Sequence, residues 1–194
     1  MLEAQTGVRI PEFNITESRI KGILLIERKA LSDERGFFRE VWREALLKEK
    51  GINFRPVQCN HSRSNTGVIR GIHAERWGKL IYPATGKMWA AIVDLRQDSE
   101  TFGQYEGFLF DNAGENLPEK ALFIPNGMGN SVCAIEGPVH YFYLTGAYWT
   151  PDSSFAINPF DKDLNIHWPV ENPIVNPKDL NAPSLREKFP EKFI

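Results

Sequence analysis

The sequence predicts an all-β protein, and three features of the chain indicate this class. Between about residues 55 and 160, short β-branched and aromatic runs recur, separated by Gly, Pro, Asn and Asp. No helical segment interrupts these evenly spaced runs. From residue 159 onward the chain is rich in proline, which favours loops and short turns that wrap the sheets over further strands. We therefore predict a double sheet rolled into a jelly-roll barrel, with an open mouth for a ligand.

The predicted strands follow from the positions of the apolar runs and of the residues that break them. They are Gly22–Arg28, Arg55–Ser62, Gly67–Gly71, Lys79–Ala84, Met88–Leu95, Gln104–Phe110, Lys120–Ile124, Val132–Ile135 and His140–Thr145.

Two helices and three turns complete the predicted elements. A helix is predicted over Trp42–Lys50, where helix-favouring residues run up to Gly51, and a second one near Ala182–Phe189. Glycine accepts positive φ, so turns are predicted where it follows a polar residue or a small residue between strands. These predicted turns are a hairpin at Thr85-Gly86, Asn112-Ala113-Gly114 and Pro125-Asn126-Gly127.

Length, charge and cysteine content limit the classes of protein and partner. The 194 residues fit one domain over 1–194, with an N-terminal arm at 1–20 and a wrapping tail at 160–194. A net charge of -2 gives no overall attraction to nucleic acid or to an acidic membrane. No apolar run approaches the ~18 residues of a membrane span, and no secretory signal pattern begins the chain. Cys59 and Cys133 are widely separated, as expected for reduced thiols. We expect a cytoplasmic protein.

The segment Arg70-Gly71-Ile72-His73 is the first candidate for chemistry. Side chains alternate along a strand, so Arg70 and His73 would point to opposite faces unless a bend at Gly71 brings both inward. Histidine titrates near neutral pH, which makes His73 a candidate base. The alternative is a histidine that only makes structural hydrogen bonds.

Two further segments carry groups that suit an anionic or polar ligand. Arg35 has the planar fork that binds a phosphate, and a neighbouring Phe ring could pack on a sugar or base. Gln58 and Asn60 alternate along one strand and so point into the same cavity. The alternatives are a solvated charged loop for Arg35 and purely structural hydrogen bonds for the two amides.

Lys79, Tyr143 and Asp179 are the other candidates for proton transfer and charge stabilisation. Lys79 lies at the foot of an apolar strand, where its ammonium could stabilise an enolate oxygen. Tyr141 and Tyr143 share one strand face, and a tyrosine opposite a base can act as an acid. Asp179 could cap the C-terminal turn or fold back to orient His73. An exposed lysine and packed tyrosines are the structural alternatives.

The histidine spacing argues against a metal site. A divalent ion in a β-barrel mouth needs two close histidines with a carboxylate and a further histidine. His73 is followed by Ala74 and Glu75, and none of the three other histidines has such spacing. We therefore predict no metal.

Nine motifs follow one another between about residues 20 and 185. They are Asp-Glu-Arg-Gly-Phe-Phe at 33–38, Gln-Cys-Asn-His-Ser at 58–62, Val-Ile-Arg-Gly-Ile-His at 68–73, Gly-Lys-Leu at 78–80, Val-Asp-Leu-Arg at 93–96, Thr-Phe-Gly at 101–103, Ile-Pro-Asn-Gly at 124–127, Tyr-Leu-Thr at 143–145 and Pro-Lys-Asp at 177–179. In this order they resemble the dTDP-4-dehydrorhamnose 3,5-epimerase family.

The resemblance implies a cupin-type jelly roll that works as a homodimer, without metal or other cofactor, on a dTDP-4-keto-6-deoxyhexose. It implies that His73 is the base, oriented by Asp179, that Tyr143 is the acid on the opposite ring face, and that Lys79 faces the enolate oxygen. Trp149 falls where an aromatic ring stacks on thymine. The implied substrate contacts are Arg35, Phe38, Glu40, Gln58, Asn60, Arg70, Asn130, Trp149 and Lys178.

Two segments depart from the pattern of many family members and resemble a branch with shorter loops. The chain has His73-Ala74-Glu75-Arg76-Trp77 where many members have His-Phe-Gln and a longer loop, and Asn130 where they have a second histidine. The resemblance predicts inversion at C3 and C5 to give dTDP-4-dehydro-L-rhamnose. The alternatives are a 3-only or 5-only epimerase of a related sugar, a non-catalytic cupin that binds a sugar nucleotide, and a metal-dependent cupin.

Overall fold

Strands dominate the structure, a computed structural model that describes residues 13–111 and 119–193. In chain order the strands are β1 (Phe13–Glu17), β2 (Leu24–Arg28), β3 (Leu31–Asp33), β4 (Gly36–Phe38), β5 (Gln58–Ser64), β6 (Val68–Glu75), β7 (Lys79–Asp94), β8 (Tyr105–Asp111), β9 (Glu119–Ile124), β10 (Met128–Thr145), β11 (Ser154–Ala156) and β12 (Ile174–Val175). The helices are α1 (Glu44–Glu49), α2 (Pro177–Leu180) and α3 (Leu185–Lys188), with 3₁₀ turns at Pro151–Ser153 and Pro190–Lys192. The predicted all-β class is confirmed.

Two long antiparallel strands, β7 and β10, form the centre of the jelly roll. They pair with each other from one end to the other. The first half of β10 also pairs with β6 and its second half with β5, while β7 pairs first with β9 and then with β8. The pairing register shifts between Ala134 and His140, and such irregularities bend strands. The ten strands therefore fold into two facing half-sheets.

The predicted hairpin at Thr85-Gly86 is wrong. The chain does not reverse there. Gly86 has a φ of +77°, but it lies inside the continuous strand β7. A Cβ at this position would lie 2.7 Å from the Glu136 carbonyl oxygen, so glycine permits the close approach of β10. The predicted strands Lys79–Ala84 and Met88–Leu95 are therefore parts of one strand, β7. The predicted strands Val132–Ile135 and His140–Thr145 are likewise parts of β10.

The other two predicted turns have different outcomes. Pro125-Asn126-Gly127 joins β9 to β10 as predicted, with Gly127 at a φ of +85°. Asn112-Ala113-Gly114 lies outside the described residues. Strand β6 extends to Glu75 rather than ending at Gly71, because Gly71 takes a φ of +124° within the strand.

Apolar side chains fill the space between the half-sheets and cover both outer faces. The interior cluster includes Ile81, Ile92, Leu122 and Val132, all almost fully buried. A second cluster lies beneath α1, and a third packs the C-terminal tail against the other half-sheet. Each half-sheet is therefore buried on its inner face and covered on its outer face.

The described part of the N-terminal arm and the tail are both attached to the sheet. Strand β1, within the predicted arm 1–20, pairs with β2 of the same chain. The tail forms loops and short helices as predicted, but it also adds a strand, since β12 pairs in parallel with β6. The Ile174 N–H donates to the Gly67 carbonyl at 2.9 Å, which brings α2 close to β6.

The two predicted helices are present in shortened form as α1 and α3. In the described part of the chain, no helix is long and apolar enough to cross a membrane.

Candidate active site

A bulge at Gly71 turns Arg70 and His73 toward the barrel interior. Arg70 lies opposite Val132, and His73 lies opposite Asn130, so two residues of β6 face one residue of β10 between these pairs. Directly opposed residues share a face, and Val132 belongs to the interior cluster. A Cβ on Gly71 would lie 2.6 Å from the Ser131 Cβ, so glycine is required there.

The strand register brings the other predicted polar residues to the same face. Tyr143 lies opposite Asn60 on β5 and Ile81 on β7, and Ile81 belongs to the interior cluster. Thr145, two residues after Tyr143, lies opposite Gln58 and Lys79, which come two residues before Asn60 and Ile81 in the antiparallel neighbours. The interior end of the barrel therefore carries Gln58, Asn60, Arg70, His73, Glu75, Lys79, Asn130, Tyr141 and Tyr143.

His73 is held by Asp179, a residue 106 positions away in the chain. The His73 Nε2 lies 2.9 Å from Asp179 Oδ1, and Asp179 Oδ2 accepts from the Gly71 N–H at 3.3 Å. Asn176 caps the first turn of α2 and so fixes the carboxylate, which is buried. The imidazole is 43% exposed, so Nδ1 remains accessible to a ligand.

Lys79 and Tyr143 form a second group with Glu75. The Lys79 ammonium lies 2.6 Å from Glu75 Oε1 and 5.1 Å from the centre of the Tyr143 ring. Burial raises the pKa of Tyr143, Glu75 raises it further, and Arg70 lowers it. Tyr143 also stacks on Tyr141, whose pKa is raised mainly by burial. Glu75 was not among the predicted site residues, although its period-two spacing from His73 could have indicated it.

Asn130 places an unsatisfied acceptor beside His73. Its side chain is buried, and its Oδ1 has no hydrogen-bond partner among the described residues. Buried polar atoms without partners are rare in folded proteins, and a ligand is one common reason for them. The position opposite His73 makes Asn130 a suitable contact for a donor on a bound molecule.

Trp149, Gln58 and Asn60 form a connected rim. The Trp149 backbone N–H donates to Gln58 Oε1 at 3.2 Å, and Gln58 Nε2 donates to Asn60 Oδ1 at 3.0 Å. Trp149 is 54% exposed as a residue, and its Nε1 donates to Ser154 Oγ. Lys178 follows the helix cap next to Asp179. An exposed ring above a polar rim suits the stacking of a flat ligand.

Three predicted contacts are not brought to this group of residues within one chain. Arg35 and Phe38 lie on the hairpin formed by β3 and β4, where Arg35 pairs with Asp33 and Phe38 is 68% exposed. Glu40 pairs with Arg43 through a short bidentate contact. The ion pairs of Arg35 and Glu40 are local, so the interior site is built without these two residues.

In the described ranges, no group of three or more His, Cys, Asp or Glu side chains is arranged to hold a metal ion. The polar groups of the site are instead an imidazole in contact with a carboxylate, a phenol, a buried ammonium and amide groups. This set suits proton transfer to and from carbon on a polar, anionic molecule.

A jelly roll with titratable side chains gathered at one end of its interior is typical of a small-molecule enzyme of the cupin type, and comparisons with known proteins define the family. A family model described as dTDP-4-dehydrorhamnose 3,5-epimerase matches residues 17–187. A curated relative of that name from Shigella flexneri is 34% identical over 174 residues, which cover 87% of this chain and 94% of the relative. The dTDP-4-dehydrorhamnose 3-epimerase of Streptomyces niveus is 31% identical, over 87% of this chain and 82% of the relative.

A solved structure gives the same result. The dTDP-6-deoxy-D-glucose-3,5-epimerase of Legionella pneumophila, crystallised with dTDP-4-keto-L-rhamnose, superposes with a TM-score of 0.83 at 34% identity. The match covers 90% of this chain and 94% of that one. The chain therefore belongs to the dTDP-4-dehydrorhamnose 3,5-epimerase family, which is a family of isomerases with a cupin-type jelly-roll fold.

Proposed function

We propose that this protein inverts C3 and C5 of dTDP-4-dehydro-6-deoxy-D-glucose to give dTDP-4-dehydro-L-rhamnose. The observation that carries the proposal is the meeting, on one interior face, of the His73–Asp179 pair, the Tyr143 phenol and the Lys79 ammonium. A pure binding protein has no need for a base and an acid in one site. The family's curated members of that name give independent support.

In the proposed first step, His73 removes a proton from the carbon next to the C4 ketone. Its Nε2–H donates to Asp179, which leaves the lone pair on Nδ1 to accept the proton. The carboxylate then stabilises the imidazolium that forms. The electron pair of the broken C–H bond moves onto the ketone oxygen, and the enolate is held by the Lys79 ammonium.

In the second step, Tyr143 returns a proton to the same carbon from the opposite ring face. Its raised pKa keeps the phenol protonated at neutral pH, so the proton is available. The electron pair returns from the enolate to form the new C–H bond. His73 then releases its proton to solvent and Tyr143 regains one, so the net proton count is unchanged. Repetition at the other carbon inverts both centres.

Substrate binding is assigned to the residues around this centre. Arg70 and Lys178 would hold the diphosphate as charged donors. Gln58, Asn60 and Asn130 would hydrogen-bond the sugar, with the unsatisfied Asn130 Oδ1 accepting from a hydroxyl. Trp149 would stack on thymine, as its exposure at the rim favours.

We also propose that the protein is a cytoplasmic homodimer. In the dimer, Arg35, Phe38 and Glu40 would serve as substrate contacts. Leu31, Phe37 and Phe38 expose apolar surface on the β3–β4 hairpin, which is costly in a monomer. A second copy would cover this hairpin and bring its Arg35 to a substrate phosphate. The free thiols of Cys59 and Cys133 suit a reducing compartment. Light scattering should give twice the chain mass, and replacement of Phe37 and Phe38 by serine should lower it.

Deuterium uptake from heavy water tests the chemistry. With dTDP-4-dehydro-6-deoxy-D-glucose, we expect deuterium at both C3 and C5 and an L-configured product. The alternative of a 3-only epimerase is favoured by the similarity to the Streptomyces niveus enzyme and would give uptake at C3 alone. No uptake at either carbon would exclude both and leave a non-catalytic binder. Uptake that stops on removal of a stoichiometric metal would instead indicate a metal-dependent cupin.

A further inference from the structure

Glu75 lies inside the proposed catalytic centre without a role in the chemistry described above. It follows His73 by two residues on β6 and therefore shares the interior face. Its carboxylate makes the 2.6 Å contact with Lys79, and the two side chains are only 13% and 6% exposed. Charge-assisted contacts of this length are strong when water is excluded. The ammonium therefore has a fixed position and a neutralising partner.

The phenol of Tyr143 is the third member of this cluster. The Lys79 ammonium lies 5.1 Å from its ring centre. From the surrounding elements, Tyr143 is faced by Arg70 and Glu75 on β6, by Lys79 on β7, by Tyr141 on its own strand and by the neutral Asn60 on β5. Glu75 is thus the anion that offsets two nearby cations.

We propose that Glu75 is a positioning residue, whose carboxylate holds the Lys79 ammonium at the Tyr143 ring and cancels its charge, so that the phenol keeps its proton until an enolate forms. This inference rests on the proposed function, because it gives Tyr143 the role of acid. Burial would still raise the pKa of Tyr143 without Glu75, but the positive charges of Lys79 and Arg70 would then lower it unopposed and shift the balance toward the phenolate. A phenolate has no proton to return to carbon.

The same pair prepares Lys79 for the enolate. Before reaction, the ketone oxygen is neutral and the ammonium is balanced by Glu75. When the electron pair reaches the oxygen, a second anion appears within the cluster, and the ammonium can donate to both because it carries three N–H groups. Its position was fixed beforehand, so little reorganisation is needed at that moment.

The test is a pH titration of Tyr143 in the full-length protein, followed by NMR of tyrosine labelled with ¹³C at Cζ. The Tyr143→Phe variant assigns the resonance. Glu75→Gln keeps an acceptor for Lys79 but removes the charge, and we expect it to lower the Tyr143 midpoint by at least about one pH unit. Glu27→Gln is the matched control, because Glu27 pairs with Lys120 at 3.9 Å outside the interior cluster, and it should leave the midpoint unchanged.

A second variant tests the opposite sign. Lys79→Met leaves Glu75 without its cation, so the Tyr143 midpoint should move up rather than down. A purely structural ion pair would change thermal stability in both variants without opposite shifts of one phenol. An unchanged or raised midpoint in Glu75→Gln would overturn the proposal, and if that variant does not fold, an unchanged or lowered midpoint in Lys79→Met would do so.

Catalysis supplies the remaining readout. In Glu75→Gln the upper limb of the kcat–pH profile should shift to lower pH, in step with the phenol, while KM changes little. A shifted phenol in a protein that takes up no deuterium would overturn the proposed function and leave the ion pair's control of Tyr143 intact. Deuterium uptake with no shift would overturn the role of Glu75 alone.

Discussion

Two clusters of buried charge in this protein are built in contrasting ways. Around Asp94, both carboxylate oxygens accept hydrogen bonds. Two guanidinium N–H groups of Arg96 donate to them at 2.7 and 2.9 Å, and the hydroxyls of Ser99 and Thr101 donate at 2.6 Å each. Around His73, the carboxylate of Asp179 is also satisfied, but the imidazole is partly exposed and Asn130 Oδ1 has no partner.

The difference in hydrogen bonding separates a structural cluster from the proposed active site. Burial alone would raise the pKa of Asp94, but the hydrogen bonds from Arg96, Ser99 and Thr101 outweigh it and hold the pKa at about 2. This carboxylate is always ionised near neutral pH and fixes the turn after β7. In the barrel mouth, groups with unused hydrogen-bonding capacity face one another, as a site for a polar ligand requires.

The largest predicted effect comes from His73→Ala. If His73 is the base, deuterium uptake at both C3 and C5 should fall by about a thousandfold or more. The measurement is the rate of uptake from heavy water at each carbon, with saturating substrate. His167→Ala is the control, because His167 is exposed in the tail, and its rates should be unchanged. A normal rate at either carbon in His73→Ala would remove His73 from the role of base.

The second prediction concerns Tyr143→Phe, which removes the phenol and leaves the ring beside Lys79. Net inversion should slow by about a hundredfold, while loss of the abstracted proton to solvent slows much less, because His73 can still remove it. The ratio of exchange to inversion measures this difference. Tyr148→Phe, at an exposed position, should leave the ratio unchanged. Equal slowing of both processes in Tyr143→Phe would contradict an acid at this position.

The candidate active site shows which features residue patterns alone can predict. The period-two rule correctly put Gln58 with Asn60 and Tyr141 with Tyr143, because these strands are regular. It could only suggest a bend at Gly71, since a bulge depends on which residue of β10 lies opposite. The contact between His73 and Asp179 joins residues 106 positions apart in the chain and depends on the attachment of β12 to β6, so local patterns left it as one of two alternatives.

Glycine was the main source of error, for a physical reason. A glycine with positive φ can lie in a chain reversal, as Gly127 does, or in an irregularity inside a strand, as Gly86 does. The sequence around each glycine does not distinguish the two uses, because the deciding contact is the approach of β10. The hairpin with Arg35 illustrates a related limit, because the exposure of Phe37 and Phe38 depends on packing that their own sequence does not specify.

Asp94→Asn is expected to have the smallest catalytic effect and sharpens the contrast between the clusters. The ordinary pKa of an aspartate side chain is 3.8, and the fold lowers the pKa of Asp94 to about 2. The ionised carboxylate therefore stabilises the folded state by about 2 kcal/mol at pH 7. Because the folded-state pKa is the lower one, this stability is present above about pH 4 and is lost as the pH falls toward 2.

Urea unfolding at pH 7 and pH 3 measures this contribution. Asp94→Asn should lower the free energy of unfolding by about 2 kcal/mol at pH 7, and the gap to the wild type should narrow at pH 3. Asp163→Asn is the matched control, because Asp163 pairs with Arg186 at the exposed surface, where ion pairs contribute little. Deuterium uptake per folded molecule should remain normal in both variants. A large loss of uptake in folded Asp94→Asn would mean that the saturated cluster is coupled to the reactive one after all.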